Sequence, residues 1–326
     1  MQPDHFQLLT PLVAGICSWL CMAILIRAPG LPVDLPNERS LHNTPVPRSG
    51  GLGILLPAIT AGWFAAPAMH WIMLCAALLA LVSFADDRYS LPPAFRLAAH
   101  LIVAGLACLL GPFHWPVILL ASSIPAIVWM TNLYNFMDGS DGLSGGMAVI
   151  GFGTYAALAG AASHTELCIF SASLSLSALG FLFYNFHPAR IFMGDVGSIP
   201  LGFLSAALGL FGWQEGVWSL AIPILIFSPF IADASMTLAR RILAGEKFWL
   251  PHRNHYYQRM IRMGGGHLRT AMSAYSLMLA TALSAAALPS FSVIGQAIGI
   301  FAWLVIYLII GRSIDQRWQI HMKEQG

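Results

Sequence analysis

PVILLASSIPAIVWMTNLYNFMDGSDGLSGG, Pro116 to Gly146, decides how this chain is read. Its first part, Pro116–Leu133, carries no charged side chain and is long enough, as a helix, to cross roughly 30 Å of hydrocarbon. The segment then ends on Asn132, Asn135, Asp138 and Asp141, two amides and two carboxylates at the mouth of an apolar helix. A carboxylate beside hydrocarbon is costly unless something compensates it, so this pairing points to chemistry at a membrane surface.

The rest of the chain repeats the apolar theme. With 57% hydrophobic and only 9% charged residues, and a mean hydropathy of +0.71, the 326 residues lie outside the range of soluble globular domains. Eleven apolar windows recur: Leu8–Ile26, Gly51–Ala66, His70–Ala85, Phe95–Gly111, Pro116–Leu133, Gly145–Ala161, Leu167–Tyr184, Ile199–Phe211, Val217–Met236, Ala271–Leu288 and Val293–Gly311. Period-2 alternation is absent, and backbone groups in lipid must bond internally, so the windows predict helices. The expected fold is an all-α, polytopic membrane bundle of about eleven transmembrane helices, a single domain over residues 1–326. The first window has neither a basic flank before it nor a cleavage signal after it, so it is expected to be retained.

Orientation follows from the bases. With eleven spans and the amino terminus outside, all 16 Lys and Arg fall on one side, which the positive-inside rule makes cytoplasmic. Most acids follow them. Asp86, Asp87, Asp138, Asp141 and Asp195 each sit beside a long apolar segment, and five carboxylates meeting at one face call for a cation. Hard oxygen ligands indicate Mg²⁺ or Mn²⁺ in place of zinc. Scattered acids such as Asp34, Glu38, Asp315 and Glu324 read more simply as solvated loop or helix-end residues. His5, His70, His114 and His164 fall on the outer face and read as structural, and the five cysteines, all inside apolar windows, as packing residues.

Two basic loops on the same face suit phosphate. NERSLHNTPVPRSGG, Asn37–Gly51, supplies Arg39, His42, Thr44 and Arg48, and FWLPHRNHYYQRM, Phe248–Met260, supplies His252, Arg253, His255 and Arg259 among aromatic residues. Contacts with lipid headgroups explain basic loops but not the acids collected beside them. A transporter or lipid-linked-sugar flippase is the rival reading. It would line a path at the bilayer midplane with its charges, whereas these charges lie at one face.

Five of these stretches, taken together, carry a resemblance. RSLHNTPVPRSGG, SFADDRYSLPPAFRLAAH, NLYNFMDGSDGLSGG, NFHPARIFMGDVGSIPLGF and PHRNHYYQRM resemble, in order, the signatures of the polyprenyl-phosphate N-acetylhexosamine-1-phosphate transferases, from about Arg39 to Met260. The resemblance implies transfer of a sugar 1-phosphate from a UDP-N-acetylhexosamine to undecaprenyl phosphate, with Mg²⁺ or Mn²⁺ and release of UMP. It implies a site on the cytoplasmic side of the bacterial inner membrane. Asp195 and Asp138 would hold the metal, and Asp138 and Asp141 the nucleotide sugar, with Asn135 and Asn185 nearby. Asp86 and Asp87 would face the lipid phosphate. A base role for Asp86 is not required, because a phosphate monoester is largely dianionic near pH 7. His42, Thr44, Arg48, His252, Arg253 and His255 would bind substrate. The loop His252–Tyr257 is most similar to that of O-antigen initiating members that handle 6-deoxy sugars such as FucNAc or QuiNAc. Membrane lipids are expected neighbours, nucleic acid is not an expected partner, and a homodimer is compatible with the sequence.

Overall fold

The computed structural model describes residues 5–36, 45–247 and 252–325. The described chain is helical apart from one short two-stranded ribbon. Its helices are α1 His5–Leu25, α2 Gly50–Ala65, α3 His70–Tyr89, α4 Pro93–Leu110, α5 Val117–Phe136, α6 Leu143–Ala161 and α7 Thr165–Asn185. These are followed by α8 Asp195–Gln214, α9 Ala221–Ile226, α10 Ser228–Leu243, α11 Tyr256–Met260, α12 Gly266–Ala287 and α13 Val293–Gln325. Nine helical segments among the described residues are long and apolar enough to cross a membrane.

That count differs from the eleven windows of the sequence for two local reasons. The Gly51 window forms α2, a helix of only 16 residues. The Val217 window breaks into α9 and α10 at Phe227–Ser228, where Pro229 opens α10 and Ser228 Oγ turns back to the Leu225 carbonyl at 2.7 Å. Conversely, the short His70 and Ile199 windows grow: α3 runs to Tyr89 and α8 begins at Asp195, so both helices reach the charged end of the bundle.

Helix α8 is the axis of the packing, with 89% of its apolar window buried against 6% for α13. It packs on α3 and α5, while α1, α2, α6 and α7 form an adjoining layer. Lipid offers no hydrophobic advantage to helix association, so close backbone approach and internal hydrogen bonds must hold the layers. Tyr134 donates to the Ser144 carbonyl at 2.8 Å, Tyr155 to the Ser205 carbonyl at 2.9 Å, and Trp218 Nε1 to the Gly209 carbonyl at 2.9 Å. These three polar heads inside the apolar bundle are thereby satisfied.

The amino end of α8 is joined to the start of α2 by main-chain bonds. The ribbon pairs β1 Val33–Asp34 antiparallel with β2 Val46–Pro47, Val33 opposite Pro47. Beyond it Phe192 N donates to the Pro47 carbonyl at 2.7 Å, Gly50 N to the Phe192 carbonyl at 2.9 Å and Gly51 N to the Met193 carbonyl at 2.8 Å. Gly51 lies against Gly197 so closely that a Cβ on either would strike the other's backbone. Gly51→Ala is therefore expected to lower the detergent melting temperature by an overpacking cost of about 1–3 kcal/mol, against Ala's intrinsic helix preference. Gly105→Ala, on α4 with open space around it, is expected to be neutral. Equal melting temperatures for both variants would contradict the packing described.

Candidate active site

Helix α3 ends with Asp86 and Asp87, and the turn after it is built on Asp86. Ser90, in the left-handed region at φ 51, closes the helix onto the Asp86 carbonyl, and Asp86 Oδ1 accepts from Leu91 N at 2.8 Å. Its other oxygen takes a bond from Arg96 Nη1, in the first turn of α4, at 3.0 Å. Arg96 also lies 3.8 Å from Asp195. Asp86 is thus held from two sides, as a positioning group is.

Asp87 points the other way, toward α8. Its Oδ2 accepts from Val196 N at 3.1 Å, and its Oδ1 pairs closely with Arg48 Nη2. Arg48 stands just beyond β2 and also reaches Asp195 Oδ1 at 3.4 Å. The guanidinium resists leaving this setting: despite desolvation, which opposes its charge, Asp87 and Asp195 hold its pKa above the ordinary arginine value. Gly194, at φ +73, lets the chain enter α8 with its backbone against the Arg48 carbonyl, where a side chain would collide.

Asn135, in the last turn of α5, donates from Nδ2 to Ser198 Oγ at 3.1 Å and also bonds Asp195. Asp138 follows in the turn after α5. Burial among protein groups pushes its carboxyl up to about 8; a hydrogen bond with Ser144 opposes the rise and the negative charge of Asp195 adds to it. Four carboxyls, Asp86, Asp87, Asp138 and Asp195, thus stand beside two arginines, Arg48 and Arg96, so the acids outnumber the bases by two.

Asp141 belongs to a second cluster. Its Oδ2 accepts from His187 Nδ1 at 2.7 Å and Ala189 N at 3.1 Å, and His267 Nδ1 lies 3.7 Å from Oδ1. The two imidazoles are stacked, with centroids 5.5 Å apart and planes 7° from parallel. His267 also meets Ser140 Oγ at 3.0 Å. Asn185 spends its amide on loops: Oδ1 accepts from Gly142 N and Nδ2 donates to the Ile191 carbonyl, both at 2.9 Å. It braces the Asp141 turn against the turn that leads to Asp195.

The late loop rests on the same end. Tyr257 Oη donates to the Phe136 carbonyl at 3.1 Å and occupies the space beside Gly139, where a Cβ would stand. His255 pairs with Asp233 of α10 at 3.2 Å. Burial, then the neighbouring His255 and Arg241, push the pKa of His252 down to about 4, so near neutral pH it offers a neutral imidazole. Arg253 is half-buried, and its guanidinium has no partner among the described residues. His42 and Thr44 lie outside the described residues.

Of the residues expected from sequence, Asp86, Asp87, Asp138, Asp195, Arg48 and Asn135 therefore share one cluster, Asp141 and Asn185 support a neighbouring one, and His252, Arg253 and His255 stand on the adjoining loop. Four participants were not singled out. Arg96 and His187 lie inside quoted motifs, and Asp233, set against an apolar run, carried a signal in its cost. His267 carried none. Two of the histidines expected on the outer face have local contacts: His70 Nε2 meets the Trp63 carbonyl at 2.8 Å, and His164 lies 3.7 Å from Glu215. The site glycines serve mainly to bring protein backbone against protein, as Gly139, Gly146 and Gly194 show.

Comparison of the sequence with known proteins finds relatives over most of the chain. The family described as Glycosyl transferase family 4 matches residues 69–212, the stretch that carries both aspartate pairs and Asp195. The chain is 32% identical to a protein of Bacillus subtilis (strain 168) named as a probable undecaprenyl-phosphate N-acetylglucosaminyl 1-phosphate transferase, over 93% of this chain and 84% of the relative. It is 29% identical to the decaprenyl-phosphate N-acetylglucosaminephosphotransferase of Mycobacterium leprae (strain TN), over 74% of this chain and 73% of the relative. Identity is 26% to the undecaprenyl-phosphate alpha-N-acetylglucosaminyl 1-phosphate transferase of Yersinia pestis, over 88% and 85%. The chain is a multi-pass membrane enzyme and belongs to the polyprenyl-phosphate N-acetylhexosamine-1-phosphate transferase family.

Arg48 is expected to govern both stability and turnover. Breaking a desolvated ion pair costs about 3–5 kcal/mol, and the partial exposure of Arg48 places Arg48→Ala toward the lower end. Adding Asp87→Asn should recover part of that stability, read as detergent melting temperature, and none of the activity. A double variant no more stable than Arg48→Ala would show that the pair is not what the guanidinium neutralises.

Proposed function

We propose that the protein transfers an N-acetylhexosamine 1-phosphate from a UDP-sugar to undecaprenyl phosphate, at the cytoplasmic face of a bacterial inner membrane. A lipid phosphate oxygen attacks the phosphorus that carries the sugar. One P–O bond forms there as the bond to the bridging oxygen breaks, and UMP leaves with the electron pair. No proton need move if the attacking monoester is dianionic. The work left for the protein is positioning and charge compensation between two anionic substrates.

The observation that carries this reading is the grouping of Asp87, Asp138, Asp195 and Asn135 around Arg48, three carboxyls against one guanidinium, beside a loop whose Arg253 has no partner among the described residues. Among the described residues no group of three or more acidic, histidine or cysteine side chains is arranged to hold a metal ion, so the reading of one divalent cation, Mg²⁺ or Mn²⁺, rests on the hard oxygens and the excess of carboxyls, with Asp195 and Asp138 as its first candidates. Bound there, such an ion would supply charge neutralisation for the donor diphosphate. Arg96 and Asp86 keep the α3–α4 turn in place for the lipid phosphate, while Arg253 and the neutral His252 face the donor. The Asp141–His187–His267 group fixes the turn between the two clusters.

The relatives' names favour N-acetylglucosamine as the sugar, whereas the His252–Tyr257 loop favours a 6-deoxy sugar such as FucNAc or QuiNAc and O-antigen as the glycan begun. Purified protein with undecaprenyl phosphate and a panel of these UDP-sugars is expected to release UMP with one of them, only when Mg²⁺ or Mn²⁺ is present. Arg253→Ala should then lose about 1.5–3 kcal/mol of transition-state binding, seen as a higher donor KM and a lower kcat with the lipid KM unchanged. No UMP from any donor would refute the transferase reading. A rise confined to the lipid KM would make the loop a headgroup clamp.

A further inference from the structure

Asp233 is a carboxylate set among the apolar residues of α10, and the transfer chemistry described above does not use it. Four donors converge on it. Oδ1 accepts from His255 Nδ1 at 3.2 Å, Tyr256 N at 2.9 Å and Thr237 Oγ1 at 3.3 Å, and Oδ2 accepts from Tyr257 N at 3.0 Å. The aspartate and histidine side chains are only 10% and 6% exposed. Two of the four bonds cap the short helix α11, which satisfies amides that have no intrahelical partner. Capping does not account for the third, to the ring of His255.

We infer that Asp233 is a positioning residue that acts through His255, holding the ring by Nδ1 so that Nε2 is the nitrogen turned toward the donor diphosphate, to which it donates when the ring carries its second proton. A buried carboxylate accepts only, so the ring nitrogen it faces must carry hydrogen. His255 itself caps α11, where its side chain faces the Gln258 backbone and its backbone N–H donates to Gln258 Oε1 at 3.2 Å. The ring is held in place on its other sides, with Phe136 at 6.1 Å, Tyr257 at 6.0 Å and His252 at 5.0 Å between centroids. Phe136 ends the helix that leads into Asp138, and Tyr257 is bonded to its carbonyl, so a ring fixed by Asp233 is fixed relative to the aspartate cluster. This inference rests on the proposed role of the late loop in donor binding.

The discriminating experiment is a double-mutant cycle in the UMP-release assay. Asp233→Asn keeps an oxygen for the α11 amides but presents an N–H where His255 needs an acceptor, so the ring must change tautomer or turn. In the otherwise natural protein Asp233→Asn is expected to lower kcat at least tenfold, with a melting temperature close to that of the parent. In a His255→Ala background the same change should have no further effect on kcat. An equal loss in both backgrounds, or no loss in either, would overturn the inference and leave the transferase reading intact. Unchanged turnover in His255→Ala alone would instead remove the donor role of the loop, and the inference with it. Should Asp233→Asn not yield folded protein, Asp233→Glu takes its place in the cycle, with a kcat loss expected only when His255 is present.

Discussion

The guanidinium of Arg48, placed between Asp87 and Asp195, is the contact on which the rest of the site depends. Neither aspartate could stand alone at the end of an apolar helix, because a desolvated carboxylate without compensation drives the structure apart or takes up a proton. The ribbon and the main-chain bonds from Phe192, Gly50 and Gly51 deliver that arginine to its place, and the Gly51–Gly197 approach lets α2 and α8 come close enough for it to reach. Fold and charge balance are therefore one problem here. The axis helix begins with the residue the arginine must neutralise.

The balance is incomplete, because the acids of the cluster outnumber the arginines beside them. Arg96 secures Asp86 and reaches toward Asp195, yet Asp138 still carries a carboxyl raised to about 8 by its surroundings. A cluster built only for stability would have replaced such groups with apolar residues. Around it the remaining polar residues act as braces. Asn185 ties two turns, Asp141 is shared by two stacked histidines, and Asp233 anchors the late loop, so the reacting region stands on held loops at the end of a helical scaffold.

Much of this was legible in the sequence because lipid imposes a coarse code. Apolar length gave the helices, and the one-sided distribution of bases and acids gave the face on which Asp86, Asp87, Asp138 and Asp195 gather. What the code does not contain is which carboxylate meets which cation. Arg96 looked like one more basic residue until α4 placed it against Asp86, and His187 and His267, 80 positions apart, are brought over Asp141 only by the tertiary fold. Asp141 itself, three residues after Asp138, belongs to the other cluster, where its carboxylate meets His187. The break at Phe227–Ser228 was hidden for a related reason, since the Val217 window is continuous in hydropathy and only Pro229 marks the change of helix.

The central proposal is that one divalent cation binds beside Arg48, with Asp195 and Asp138 as its ligands. Electron paramagnetic resonance of Mn²⁺ titrated into the purified, detergent-solubilised protein measures this directly, without any turnover. The account predicts one bound Mn²⁺ per chain, displaced by Mg²⁺, and its loss in Asp195→Asn and Asp138→Asn but not in Asp315→Asn. Undiminished Mn²⁺ binding in both site variants would contradict it.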